Sequence, residues 1–318
     1  MTSEFDLIAR HFTRPTRHTV LGVGDDCAIV QPSARHALVV TTDMLVAGTH
    51  FLPDTDAERL GWKTAAVNIS DLAAMGAQPR WITLALSLPA VDEHWIAALA
   101  RGFAECSEAH GVDWIGGDTT RGPLNLCATA FGEVEVGGAI RRSGAHAGDD
   151  IWVSGWPGLA ALGLRHLLDG TPLDADWRDA CVEALERPQP RVALGLALRG
   201  VARAMLDVSD GLAGDLAHIL ERSACGAVLD EAALPLAHAQ AACGDAALAQ
   251  RCVLAGGDDY ELLFCAAPDR RDAIAAISKQ LDLPLSRIGT CVAPPGLQLR
   301  QRDGAIVALP PRGFDHFA

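Results

Sequence analysis

Short apolar runs alternate along the chain with longer stretches in which apolar residues recur every three or four positions. "ALVVTTD" (37–43) is apolar and then turns polar, which predicts a buried strand that runs out into a site. "DAERLGWKTAAVNISDLAAMGA" (56–77) has helical spacing, and "RWITLALSLP" (80–89) reads as a strand stopped by Pro89. A helix is predicted over 92–111, with Asp92 as its N-cap and Gly111 as its stop. "VDWIGGDTTRG" (112–122) reads as a short strand entering a glycine-rich turn, and 126–139 as another strand. The glycine-rich, charged stretch 137–150 looks like a connection, after which "IWVSG" opens a second series. That series holds predicted helices at 157–168, 174–186 and 190–204, then a strand turning into a helix in "AMLDVSDGLAGDLAHILE". "CVLAGGDDYELLFCAA" places a Gly-Asp turn before a strand, and short strands are predicted near 286–292, 297–301 and 305–309. The alternation predicts an α/β (α+β) protein. Its 318 residues exceed one usual core, so two domains are expected, over 1–138 and 149–318.

Composition narrows the chemistry. Hydrophobic residues make up 49% and charged residues 21%, as in globular chains. The net charge of −14 argues against nucleic acid or an anionic membrane surface as the main partner. Lys63 and Lys279 are the only lysines, so a phosphate site here would lean on metal ions, arginine and backbone N–H groups. The nine cysteines form no C-x-x-C pair and read as free buried thiols of a reducing compartment. The first residues lack the pattern of a signal peptide, and no apolar run is long enough to span a bilayer. A cytoplasmic location is therefore expected.

One motif recurs: an apolar segment ends at a glycine or small polar residue, and an aspartate follows. It appears in "GVGDD" (Asp25, Asp26), "VVTTD" (Asp43), "IGGD" (Asp118), "MLDVSD" (Asp207, Asp210) and "LAGGDD" (Asp258, Asp259), while Asp71 sits inside a helix. Single turn aspartates are ordinary, but the set, with Thr41 and Thr42 beside it, supplies oxygen ligands suited to Mg²⁺. Several such ions would offset an acidic cleft and hold ATP phosphates for transfer. There is no P-loop, full dinucleotide fingerprint, kinase motif set, nucleophile elbow or zincin motif. Arg121, Arg141 and Arg142 are suited to bidentate phosphate contacts. Phosphoryl transfer, hydrolysis and nucleotide binding without turnover all remain open at this point.

"GVGDDCA", "TTDMLVAGTHF", "AVNISDLAAMGA", "IGGDTTRG", "RRSGAHAGD", "DVSDGLAGDLAHI", "GGDDYEL" and "GFDHF" follow one another over the whole chain. In these motifs the sequence resembles the thiamine-monophosphate kinase family, whose superfamily includes aminoimidazole ribonucleotide synthetase and selenophosphate synthetase. The resemblance implies a mixed sheet in the N-terminal domain and an α/β sandwich in the C-terminal one, with a homodimer joined through the N-terminal sheets and ATP bound in a cleft there. It implies direct in-line transfer of the ATP γ-phosphoryl to thiamine monophosphate, the final step of thiamine diphosphate biosynthesis, with no phosphoenzyme and no obligatory general base. It implies a magnesium set of Asp26, Thr41, Thr42, Asp43, Asp71, Asp118, Asp207 and Asp210. Gly117, Asp118, Arg142 and Ser209 are implied as ATP contacts, and His50, Asp258 and Phe314 as thiamine monophosphate contacts.

Overall fold

The structure is a computed structural model that describes residues 4–314 and 316; Asp315 and Phe317 of the "GFDHF" motif lie outside the described residues. It divides into two compact units, one of residues 1–73 and 77–137, the other of 74–76 and 138–318.

The first unit opens with helix α1 (Glu4–Leu7), continued by a π turn over Ile8–Phe12, and a small antiparallel hairpin of β1 (Thr19–Leu21) and β2 (Ile29–Val30). There follow β3 (His36–Val46), α2 (Ala57–Ala74), β4 (Gln78–Leu88), α3 (Glu93–Ala109), β5 (Asp113–Arg121) and β6 (Asn125–Glu135). The last four strands form one mixed sheet in the order β3-β6-β4-β5, with only the β4–β5 pair parallel. Leu84, Leu86, Leu126, Ala128 and Ala130 are buried on the face covered by the helices. On the opposite face Leu38, Val40 and Met44 stand exposed in a row. Asp92 caps α3 as expected, accepting from the N–H groups of His94 and Trp95. Helices α2 and α3 meet through glycine. A Cβ at Gly61 would lie 2.0 Å from the Leu99 carbonyl oxygen, and one at Gly102 would lie 1.7 Å from that of Glu58.

The stretch 112–122 differs from expectation. It is one strand that stays paired with β4 as far as Leu88↔Arg121. Gly117 serves close approach here, not a turn: a Cβ on it would sit 1.8 Å from the Leu84 carbonyl oxygen.

The second unit is built on a seven-stranded sheet. Its strands are β7 (Asp150–Ser154), β8 (Ala204–Asp207), β9 (Gly226–Asp230), β10 (Leu262–Ala266), β11 (Leu285–Val292), β12 (Gly296–Arg300) and β13 (Ile306–Ala308). They are ordered β13-β12-β9-β11-β7-β10-β8, antiparallel except for β12 beside β9. The helices are α4 (Leu159–Asp169), α5 (Ala175–Glu186), α6 (Val192–Ala197), α7 (Leu212–Ser223), α8 (Ala237–Cys243), α9 (Ala246–Ala255) and α10 (Arg271–Leu281). Every residue of β10 is buried, and the alternation divides them between two cores. Leu263 and Cys265 join Leu162, Leu216 and Val253 on one face, while Leu262, Phe264 and Ala266 join Leu194 and Ile274 on the other.

The predicted helix over 190–204 shrinks to α6, since Gly200, with φ of 71°, turns the chain before β8. Strand β9 and helices α8, α9 and α10 were not among the predicted elements. The mixed α/β class holds in both units. Among the described residues no helix is long and apolar enough to cross a membrane. All nine cysteines are free thiols; six are buried, Cys127 and Cys243 are partly so, and Cys27 is exposed, against the expectation of buried thiols throughout.

Candidate active site

In the first unit, Asp25 and Asp26 sit at the exposed tip between β1 and β2, where Asp25 Oδ1 accepts the Asp26 N–H at 2.9 Å. The backbone around them has little core of its own. Two buried carboxylates moor it instead. Asp113, at the start of β5, accepts from the N–H groups of Arg17 (2.8 Å) and His18 (2.6 Å) and from the Thr19 hydroxyl (2.8 Å). Glu133, near the end of β6, accepts from the Ser33 N–H and hydroxyl and from Arg80 Nε at 2.9 Å. Burial would raise the Glu133 pKa, but the bonds from Ser33 and Arg80 hold it below the usual carboxylate range. The moored tip, with Gly116, Gly117 and Asp118 of β5, lines a cavity of about 600 Å³. Cys27 lines the same cavity.

Strand β3 and helix α2 bring a second group together. Thr41 donates a short hydrogen bond to Asp71 Oδ2, and Asn68 Oδ1, one helical turn earlier, accepts the Asp43 N–H at 3.0 Å. Thr42 is turned to the opposite face, its hydroxyl 2.8 Å from that of Thr129, so its side chain does not join Thr41 and Asp43. At His50 the Nδ1 atom accepts the Val46 N–H at 3.0 Å, which leaves the proton on Nε2.

In the second unit, β8 and β10 pair as far as Asp207↔Leu262, and the two chains remain zipped beyond the sheet. Val208 N–H donates to the Glu261 carbonyl, Tyr260 N–H to that of Val208 and Asp258 N–H to that of Ser209, each at 2.8 Å. Phe314, exposed near the chain end, docks by its N–H on the Asp210 carbonyl at 3.0 Å. Asp207, Ser209, Asp210, Asp258 and the Phe314 backbone are thus drawn to one place. Arg142 is exposed. Burial raises the Asp210 pKa, His316 and His218 oppose this, the charge on Asp258 adds to it, and Arg142 acts against it. Asp215, in the first turn of α7, accepts the N–H groups of Ser209, Asp210 and Gly211 at 3.1 Å each. Its pKa is pushed up to about 6, because burial outweighs those bonds.

Asp113, Glu133, Asp215, Arg191 and Glu261 were not singled out by the sequence. Asp215 and Glu261 lie inside quoted motifs, yet only their partners reveal what they do. Among the described residues no three His, Cys, Asp or Glu side chains gather into a ready-made metal cage. The donors are hard oxygens. That fits magnesium, which takes one or two protein carboxylates and completes its shell with water and phosphate.

Residues 24–134 match the family model of AIR synthase related protein, N-terminal domain, and residues 146–301 that of its C-terminal domain. This defines the class of the fold and site. Within it, the chain is 44% identical over 319 residues to the thiamine-monophosphate kinase of Escherichia coli (strain K12), covering 99% of this chain and 98% of that protein. The crystal structure of thiamine-monophosphate kinase from Stenotrophomonas maltophilia K279a superposes with a TM-score of 0.84 at 48% identity, covering 94% of each chain. AaThiL complexed with AMPPCP and TMP superposes with a TM-score of 0.78 at 28% identity, covering 93% of this chain and 92% of that one. The chain belongs to the thiamine-monophosphate kinase family.

Proposed function

We propose that this protein is an ATP-dependent kinase that converts thiamine monophosphate to thiamine diphosphate, by direct in-line transfer of the γ-phosphoryl group. The observation that carries the reading is the convergence of Asp207, Ser209, Asp210 and Asp258 beside the Phe314 backbone, in a chain of this family. The relative AaThiL, solved with AMPPCP and TMP, supports both substrates.

In this reading Gly117, Asp118, Arg142 and Ser209 meet the nucleotide, and His50, Asp258 and Phe314 meet the acceptor. Asp26, Thr41, Asp43, Asp71, Asp118, Asp207 and Asp210 would hold magnesium, which when bound offsets the negative charge of the two phosphate-bearing substrates. The chain's own work is positioning. The moored tip keeps Asp26 at the cavity, and Thr41 orients the Asp71 carboxylate. His50 has its ring orientation fixed by the Val46 N–H that its Nδ1 accepts. The acceptor phosphate has a second pKa of about 6, so little proton removal is needed near neutral pH. The exposed apolar row Leu38, Val40 and Met44 supports a homodimer formed through the first unit's sheet.

Phosphorus NMR of the protein with ATP, thiamine monophosphate and Mg²⁺, and with each omitted in turn, tests the reading. Equal amounts of thiamine diphosphate and ADP, formed only with all three, are expected. ADP with inorganic phosphate in the absence of acceptor would make the protein a hydrolase instead.

A further inference from the structure

The segment from Gly256 to Tyr260 has an unusual backbone. Asp258 (φ 66°) and Tyr260 (φ 52°) are both left-handed without being glycine. Such backbone persists only where its surroundings over-determine it. Part of that restraint is the main-chain zipper to Val208 and Ser209. Another part is Asp259, whose carboxylate accepts the Gly158 N–H at 2.8 and 2.9 Å.

A further restraint is an ion pair at the end of the segment, between a partly exposed arginine and a buried glutamate. Arg191 Nη2 donates to Glu261 Oε1 at 2.6 Å, and its Nε donates to Oε2 at 2.8 Å, a bidentate fork. The Ser154 hydroxyl donates a short bond to Oε2 and accepts the Leu262 N–H at 2.9 Å, tying the carboxylate to both β7 and β10. Room for that carboxylate exists only because residue 155 is glycine: a Cβ there would lie 1.9 Å from Glu261 Oε1. Glu261 is 5% exposed, and both its oxygens are engaged, so it is not presented to a substrate. Burying a carboxylate such as Glu261 is a poor device for stability alone, because its desolvation offsets much of what the ion pair gains. What this pair does provide is a fixed direction for the chain leaving Tyr260.

We propose that Arg191, Glu261 and Ser154 are positioning residues that hold segment 256–260 in the strained form in which Asp258 meets the acceptor; this rests on the reading of Asp258 as a thiamine monophosphate contact.

Arg191→Lys keeps the charge and removes the fork. It is expected to raise KM for thiamine monophosphate on the order of tenfold, with KM for ATP and kcat changed much less. Glu261→Gln should act in the same direction more strongly, and Ser154→Ala more weakly. Where Glu261→Gln gives no folded protein, Arg191→Lys is the variant read. Equal changes in both KM values, or a lowered urea midpoint with unchanged KM for thiamine monophosphate, would overturn the proposal and leave a merely structural pair. Amide hydrogen exchange gives a readout independent of turnover: in Arg191→Lys the amides of 256–261 should exchange faster, while those of α7 should not. Unchanged exchange at 256–261 would defeat the positioning role even in an active enzyme. Faster exchange in a protein that forms no thiamine diphosphate would instead defeat the kinase reading and leave the restraint standing.

Discussion

Asp26 and Asp71 have the same side chain and different surroundings, which sets how each substitution should read out. Asp26 is exposed at the tip of a hairpin, so Asp26→Asn should leave stability within about 0.5 kcal/mol of wild type. Asp71→Asn weakens one hydrogen bond from Thr41, worth about 1 kcal/mol. Both are expected to lower kcat/KM on the order of a hundredfold, a loss that urea unfolding would not account for. Near-wild-type turnover in either would remove its acidic group from the proposed magnesium set. The sequence marks both aspartates because each sits at a recognisable break in an apolar pattern. It does not mark Arg191 and Glu261. They lie seventy positions apart and meet only through the tertiary fold, so neither carries a local signal of the other. Nor does it say which way Thr42 faces; strand alternation separates it from Thr41 and Asp43, its neighbours in the chain.

At the scale of elements, the legible parts were those with strong local punctuation. Asp92 and Gly111 bracket α3 as read, and Pro89 follows β4 directly. The misreading of "GGDTTR" arose because glycine signals either a turn or close backbone approach, and only the Leu84 carbonyl decides between them. In α10 the spacing of Ile274, Ile277 and Leu281 carries the helical period, but it falls in a polar surface stretch with one fully buried residue. The glycines between α2 and α3 permit a sharper test. Gly102→Ala puts a methyl group 1.7 Å from the Glu58 carbonyl oxygen, so the helices must part, at a cost of about 1–3 kcal/mol or more. A lowered urea midpoint is expected, and an unchanged one would show that α3 slides freely over α2. A charged pair tests the second unit. Asp150 is 1% exposed and sits between Arg271 (2.6 Å) and Arg287 (3.2 Å). Burial opposes its ionisation, but the two arginines prevail and hold its pKa below the ordinary 3.8. A carboxyl lowered on folding contributes stability above its unfolded value and loses it as pH drops through the lower folded one. Asp150→Asn should therefore lower the urea midpoint at pH 7 and approach wild type toward pH 3.

At the scale of the molecule, the unpaired sheet face of the first unit is the feature that asks for a partner. Val40 is 55% exposed and Met44 52%, in one row with Leu38 on a strand that also carries proposed site residues. A charge at its centre, Val40→Glu, is expected to shift the protein from dimer toward monomer in analytical ultracentrifugation and to reduce activity at low protein concentration. A wild-type protein that sediments as a monomer would refute the dimer outright. Net charge and composition had narrowed the field to an acidic, globular protein, but they held no information on which sheet face is open; the burial alternation of β3 supplies it.

Cys27 adds a practical consequence. It is the one exposed thiol, and it borders the cavity beside Asp26, while six others are buried. The protein therefore carries a natural chemical tag at the mouth of the proposed nucleotide site. A small alkylating reagent should label Cys27 first, and the rate of that labelling, slowed by ATP with Mg²⁺ but not by thiamine, would report occupancy of the cavity without any engineered probe.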